Sequence, residues 1–197
     1  MADFTTQKTW EVGDTVPAAD MNTYLRDDMQ YLYDNATLLI AEESVTTSDV
    51  GTITFDSISG DFSSLLVVFS FASQHTSQDY LWVSLNGDTS TDSYIRVRRW
   101  YDAYTANISP YGHIFDNFYV QPSTNTGQWN YGEIRFTGYS NTNSYTFAMA
   151  QFIDPVNYLH WFHNGIYSTT DAVTSMTFNM GSGNYAIGSK ISLYGYR

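Results

Sequence analysis

The sequence predicts a mainly β protein, an antiparallel β-sandwich of jelly-roll type preceded by one amino-terminal α-helix. Three observations predict it. Aromatic residues make up 17% of the 197 residues, with 17 Tyr, 12 Phe and 5 Trp, and aromatic and β-branched side chains fit a pleated, half-buried surface. Beyond residue 46 the apolar residues recur with period two and are punctuated by Gly, Asn and Asp-Pro at short intervals, the pattern of many short antiparallel strands. The only helical period lies near the start of the chain, where Met21, Leu25, Met29 and Leu32 form one narrow stripe.

That helix is expected over about 17–33. Pro17 suits a first helical position, Thr15 can cap the exposed amides, and Asp20 adds negative charge to the opening turn. A stripe so narrow buries little by itself. It calls for a partner, either the chain's own β domain or copies of itself. Leu38-Leu39-Ile40 followed by Glu42-Glu43-Ser44 reads as a hinge, which divides the chain into an arm, 1–42, and a sandwich domain, 43–197.

Within the sandwich, Ile53 and Phe55 alternate with polar neighbours, and the unbroken run from Leu65 to Phe71 predicts a mid-sheet strand buried on both faces. Leu81, Val83 and Leu85 share one face, and Asn86-Gly87-Asp88 predicts a hairpin turn leading to a return strand over 93–101, with Tyr94, Arg96, Arg98 and Trp100 on one side. Residues 102–130 read as a long polar excursion with a short strand near Phe118 to Val120. Strands near 131–139, 144–153, 158–169, 174–180 and 190–196 follow, giving nine or ten in all.

Composition excludes several functions. Eight Lys plus Arg against twenty Asp plus Glu leave a net charge of −12, which repels nucleic acid. With no cysteine, neither disulfides nor thiolate chemistry contribute. The polar start MADFTTQKTW has no apolar segment of signal-peptide type, and the longest apolar run, Leu65 to Phe69, is far too short to span a bilayer. Neither a cleaved leader nor membrane insertion is expected.

Candidate chemistry is sparse, and no catalytic, cofactor or metal residues are assigned. His160 and His163 resemble a metal pair, but residues three apart in a strand point to opposite faces. Gly183 to Lys190 resembles a phosphate loop with Ser and Lys in the wrong order and a strand after it. Asn86 to Asp92 offers oxygens to a cation, yet its spacing is that of a turn. Asp79, Asp88, Asp92, Asp102, Asp116, Glu133 and Asp154 are the acids from which a glycosidase pair would have to come, and carboxylates in loops are usually only solvated. Trp82, Trp100 and Trp129, with Trp161, are candidates for stacking on sugar rings, although core or interface packing is the better explanation of them.

The segment Trp10-x-x-Gly13-Asp14-x-Val16-x-Ala18-Ala19-Asp20-Met21-Asn22, followed by Leu25-Arg26-Asp27, resembles the amino-terminal segment of tailed-bacteriophage virion structural proteins of minor-tail, fibre or head-decoration type. The closing ISLYGYR resembles the last strand of such proteins. The resemblance implies a virion component without enzymatic activity, bound to other capsid or tail proteins through Trp10, Val16, Met21 and Leu25. It also implies a homo-oligomer, a trimer by preference. A receptor- or glycan-binding adhesin is the alternative, and a glycan-degrading enzyme a third.

Overall fold

The computed structural model describes residues 36–100, 103–108, 112–122, 129–154 and 159–197, with isolated positions 13, 15, 17, 26, 29 and 30 before them. The expected helix therefore lies almost wholly outside the described residues; of its positions Pro17, Arg26, Met29 and Gln30 are described, the last three with helical backbone. Trp10, Val16, Met21 and Leu25, the residues expected to attach the chain to other virion proteins, lie outside them too.

Twelve strands form two antiparallel sheets. In chain order they are β1 (Thr37–Ser44), β2 (Thr52–Phe55), β3 (Ser64–Phe71), β4 (Asp79–Leu85), β5 (Tyr94–Trp100), β6 (Ala103–Ile108), β7 (Phe115–Val120), β8 (Asn130–Thr137), β9 (Thr146–Asp154), β10 (Leu159–Tyr167), β11 (Met176–Met180) and β12 (Lys190–Tyr196). One sheet has eight strands in the order β1-β12-β3-β8-β9-β10-β5-β6, and the other has four in the order β2-β11-β4-β7. The chain alternates between the sheets from β1 to β4 and again at its end, while two hairpins, β5–β6 and β9–β10, extend the larger sheet on one side.

The core lies between the sheets and follows from the period of two. Leu65, Val67, Phe69 and Phe71 of β3 meet Leu81, Val83 and Leu85 of β4 and Met176 and Phe178 of β11, all buried. Each such side chain contributes about 1.5–3 kcal/mol on burial. Aromatic rings fill the wider gaps, with Phe118 edge-on to Phe152 and Phe55 edge-on to Phe178.

Four sequence expectations need correction. The β3 strand does sit in mid-sheet, between β12 and β8, but it is not buried on both faces: Val68 is 40% exposed, although Leu66 beside it on the outer face is covered. An apolar run lacks the alternation that would mark the open face. The expected hinge is strand: β1 extends to Ser44 and pairs along its length with β12, so the sheet begins at Thr37. The excursion at 102–130 holds β6 as well as β7, because AYTANI carries too few large apolar residues to read as a strand.

The fourth correction concerns the hairpin. Asn86 and Gly87 do make a tight turn, both with positive φ (53° and 65°) and closed by Asp88 N–H donating to Leu85 C=O. Yet β4 pairs with β11 and β7, while β5 belongs to the other sheet. Long-range bonds override the local signal. The Asn86 side chain accepts from the amides of Thr174 and Ser175 and donates to Ala172 C=O, fixing the turn to the start of β11. Tyr94, fully buried as the first residue of β5, accepts from Leu85 N–H at 3.1 Å and donates to Asp88 C=O at 2.9 Å, pinning the crossover between sheets.

Candidate functional site

Two surfaces concentrate chemistry that a solvated sandwich does not require. The first is an aromatic rim around β7, the edge strand of the smaller sheet. Tyr80 and Tyr119 are cross-strand partners on the outer face of that sheet, their ring centroids 5.3 Å apart. Because the larger sheet continues past this edge, Trp161 of β10 reaches the rim, 5.5 Å from Tyr119 and stacked on Phe152 at 6.0 Å. All three outer rings are half-buried. The rim can stack on a flat apolar face, such as a sugar ring or another aromatic side chain.

The floor beneath the rim is fixed by buried polar groups. Asn130 donates to Tyr119 C=O and accepts from Gln121 N–H, while the Gln121 side chain donates to Asp154 Oδ1 at 2.9 Å. Asp154 and Asn130 open onto the larger sheet and Gln121 follows β7, so these bonds tie the sheets together at this end. Buried groups so satisfied rigidify what they hold.

A second clasp lies nearby. Asp79, at the start of β4 and fully buried, accepts from Tyr80 N–H and Ser182 N–H on Oδ1, and from Ser73 Oγ and Gly183 N–H on Oδ2, all at 2.8–3.0 Å. A Cβ on residue 183 would stand 3.0 Å from both Ser73 Oγ and the His75 Cβ, which explains the glycine. The stretch that resembles a phosphate loop thus gives the Gly183 amide to an anion, the chain's own Asp79 carboxylate.

The second surface is the outer face of the eight-stranded sheet. Val68, Tyr131, Phe147, Met149, Ile153 and Phe162 all project from it and remain 38–52% exposed. Registration makes them neighbours: Tyr131 faces Ile153 directly, Phe162 faces Gln151, and Gln151 in turn faces Glu133, which is opposite Val68. Glu133 accepts a hydrogen bond from Gln151 at 2.7 Å, and the Arg135 guanidinium lies 4.9 Å from the Tyr196 ring centroid.

The Trp residues singled out for sugar stacking lie on different elements. Trp82 lies on β4 and stacks on His113 at 5.2 Å with an 18° interplanar angle. Trp129 precedes β8, with its indole ring over Gly188. Trp100 ends β5 in the larger sheet. Trp161 joins the rim through its contact with Tyr119, and its tyrosine partners carry no sequence signal, since only the pairing of β4 with β7 brings Tyr80 to Tyr119. His160 is exposed against Phe162 and His163 is buried against Phe118, on opposite faces as the strand period requires. Of the acids, Asp79 and Asp154 are each engaged in separate buried networks, Asp88 accepts from Ser90 N–H, and Asp102 lies outside the described residues. Among the described residues no three His, Cys, Asp or Glu side chains converge on a point that a metal ion would fill, and no helix is long and apolar enough to cross a membrane.

No protein-family model matches the chain, and no curated protein matches it.

Proposed function

We propose that this chain is a non-enzymatic structural component of a tailed-phage particle, attached to capsid or tail proteins through its amino-terminal arm and displaying the β-sandwich on the particle surface. The observation that carries the reading is the Trp10 to Asp27 segment with its phage-type order of residues. The strand order supports it. Leaving aside the two inserted hairpins, β1-β12-β3-β8 opposite β2-β11-β4-β7 is the order of a jelly roll, an architecture common in viral capsid and lectin domains. On this reading the chain works as a homo-oligomer, a trimer being the form the resemblance implies, and it resides in the virion.

Electron microscopy of particles bearing a tag at the carboxyl terminus tests it. Density for the tag at symmetric positions on head, neck or tail supports the reading, and particles lacking the protein refute it.

A receptor- or glycan-binding role is the second reading, favoured by one observation, the Tyr80–Tyr119–Trp161 rim on a fixed floor. A glycan array read with the wild type and with Trp161→Ala separates the two: binding lost in the variant supports an adhesin, and no binding to any glycan leaves the structural role.

A further inference from the structure

We infer that copies of this chain associate through the outer face of the eight-stranded sheet, an inference that rests on the homo-oligomeric reading above and assigns its surface. The six apolar side chains on this face leave on the order of 500 Å² open in one region, the upper end of what a monomeric protein exposes in a single patch. With the intervening Glu133, Arg135 and Gln151 the face approaches the roughly 800 Å² that each partner contributes to a stable interface.

The amino-terminal arm is the rival occupant, since its apolar stripe also needs cover. Met29, the described member of that stripe, is 68% exposed, so at that position the stripe is not buried against this sheet. The chemistry of the face fits a second copy better. Its apolar centre surrounds one anion and one cation on adjacent outward positions of β8, Glu133 and Arg135. An opposed copy can set Glu133 against Arg135 in both directions, a two-fold contact that makes a dimer in place of the trimer the resemblance implies, whereas a partner of single charge would leave one of them facing its like.

The test is sedimentation velocity on the full chain at tens of micromolar, comparing wild type with Met149→Glu/Ile153→Glu and with Thr54→Glu on the outer face of the smaller sheet. Both sites in the double variant are half-exposed, so its circular dichroism and melting should match wild type. The expected result is an assembled wild type and Thr54→Glu, and a folded double variant whose self-association is weaker by about a hundredfold or more. A monomeric wild type overturns the inference, as does a double variant that assembles normally. Removing residues 1–35 should leave assembly intact, and loss of assembly on that truncation would assign it to the arm and overturn the inference. Particle incorporation, measured separately, distinguishes this failure from that of the functional reading: a chain that assembles through this face but never enters particles refutes only the latter.

Discussion

Tyr94, Tyr139 and Tyr185 each place a whole aromatic ring in the core and use one hydroxyl to hold a connection. Tyr94 holds the β4 to β5 crossover, Tyr139 donates to Ser59 C=O at 2.6 Å, and Tyr185 donates to Phe178 C=O at 3.1 Å. Burial pushes all three hydroxyls above the usual tyrosine range, so they stay protonated as donors. A raised folded pKa means that the native state retains protons the unfolded chain releases. This stabilisation is complete below pH 10 and is lost as pH rises beyond it. Tyr94→Phe should cost about 1–3 kcal/mol in urea melts, because Leu85 N–H loses a buried partner, and it should flatten the fall in stability above pH 10. An unchanged alkaline slope in that variant would count against the assignment.

His113 carries the opposite sign. Burial beside Trp82 lowers its pKa, and its Nδ1 has no hydrogen-bond partner. The unfolded chain therefore takes up a proton first as pH falls below about 6.5, and stability declines from there until the folded His113 also titrates. His113→Gln should reduce the difference in stability between pH 7 and pH 5. Trp fluorescence during the same melts reports whether Trp82 stays packed.

At the level of elements, period-two alternation was enough to find most of the strands, and β12 matches the expected 190–196 in full. It failed where local pattern and long-range pairing disagree. The Asn86-Gly87 turn reads as a hairpin because nothing local reveals that Asn86 is bonded to residues 172–175. The β3 run reads as doubly buried because Val68 is apolar on an open face. The two faces of β3 are separable by experiment. Val67→Asp places an unpaired carboxylate in the core and should abolish cooperative unfolding, since several kcal/mol is set against a total of about 5–15. Val68→Asp, on the exposed side, should cost less than about 1 kcal/mol. Equal damage from both would mean that the outer face is covered.

For the molecule as a whole, the sandwich was legible in the sequence, whereas the rim and the assembly face were not. Tyr80, Tyr119 and Trp161 are far apart in the chain, and they meet only because the inserted hairpins widen one sheet past the edge of the other. The open face is invisible for a similar reason: Phe147, Met149 and Ile153 look like core residues until Ala148, Ala150 and Phe152 are seen to occupy the core side of β9. Since the sheet begins at Thr37, a truncation meant to test the arm must end before it, near residue 36. A cut at 42 would remove most of the edge strand β1.

On the proposed reading, residues 1–35 attach an independently folded sandwich to a phage particle. It is tested most directly by supplying the full chain and the chain lacking residues 1–35 to assembling particles and measuring the protein bound to each after purification. The truncated chain is expected to fold, with wild-type β circular dichroism and a cooperative melt, and to be absent from particles that carry the full chain in fixed copy number. Equal incorporation of the two chains, or absence of both, would contradict it.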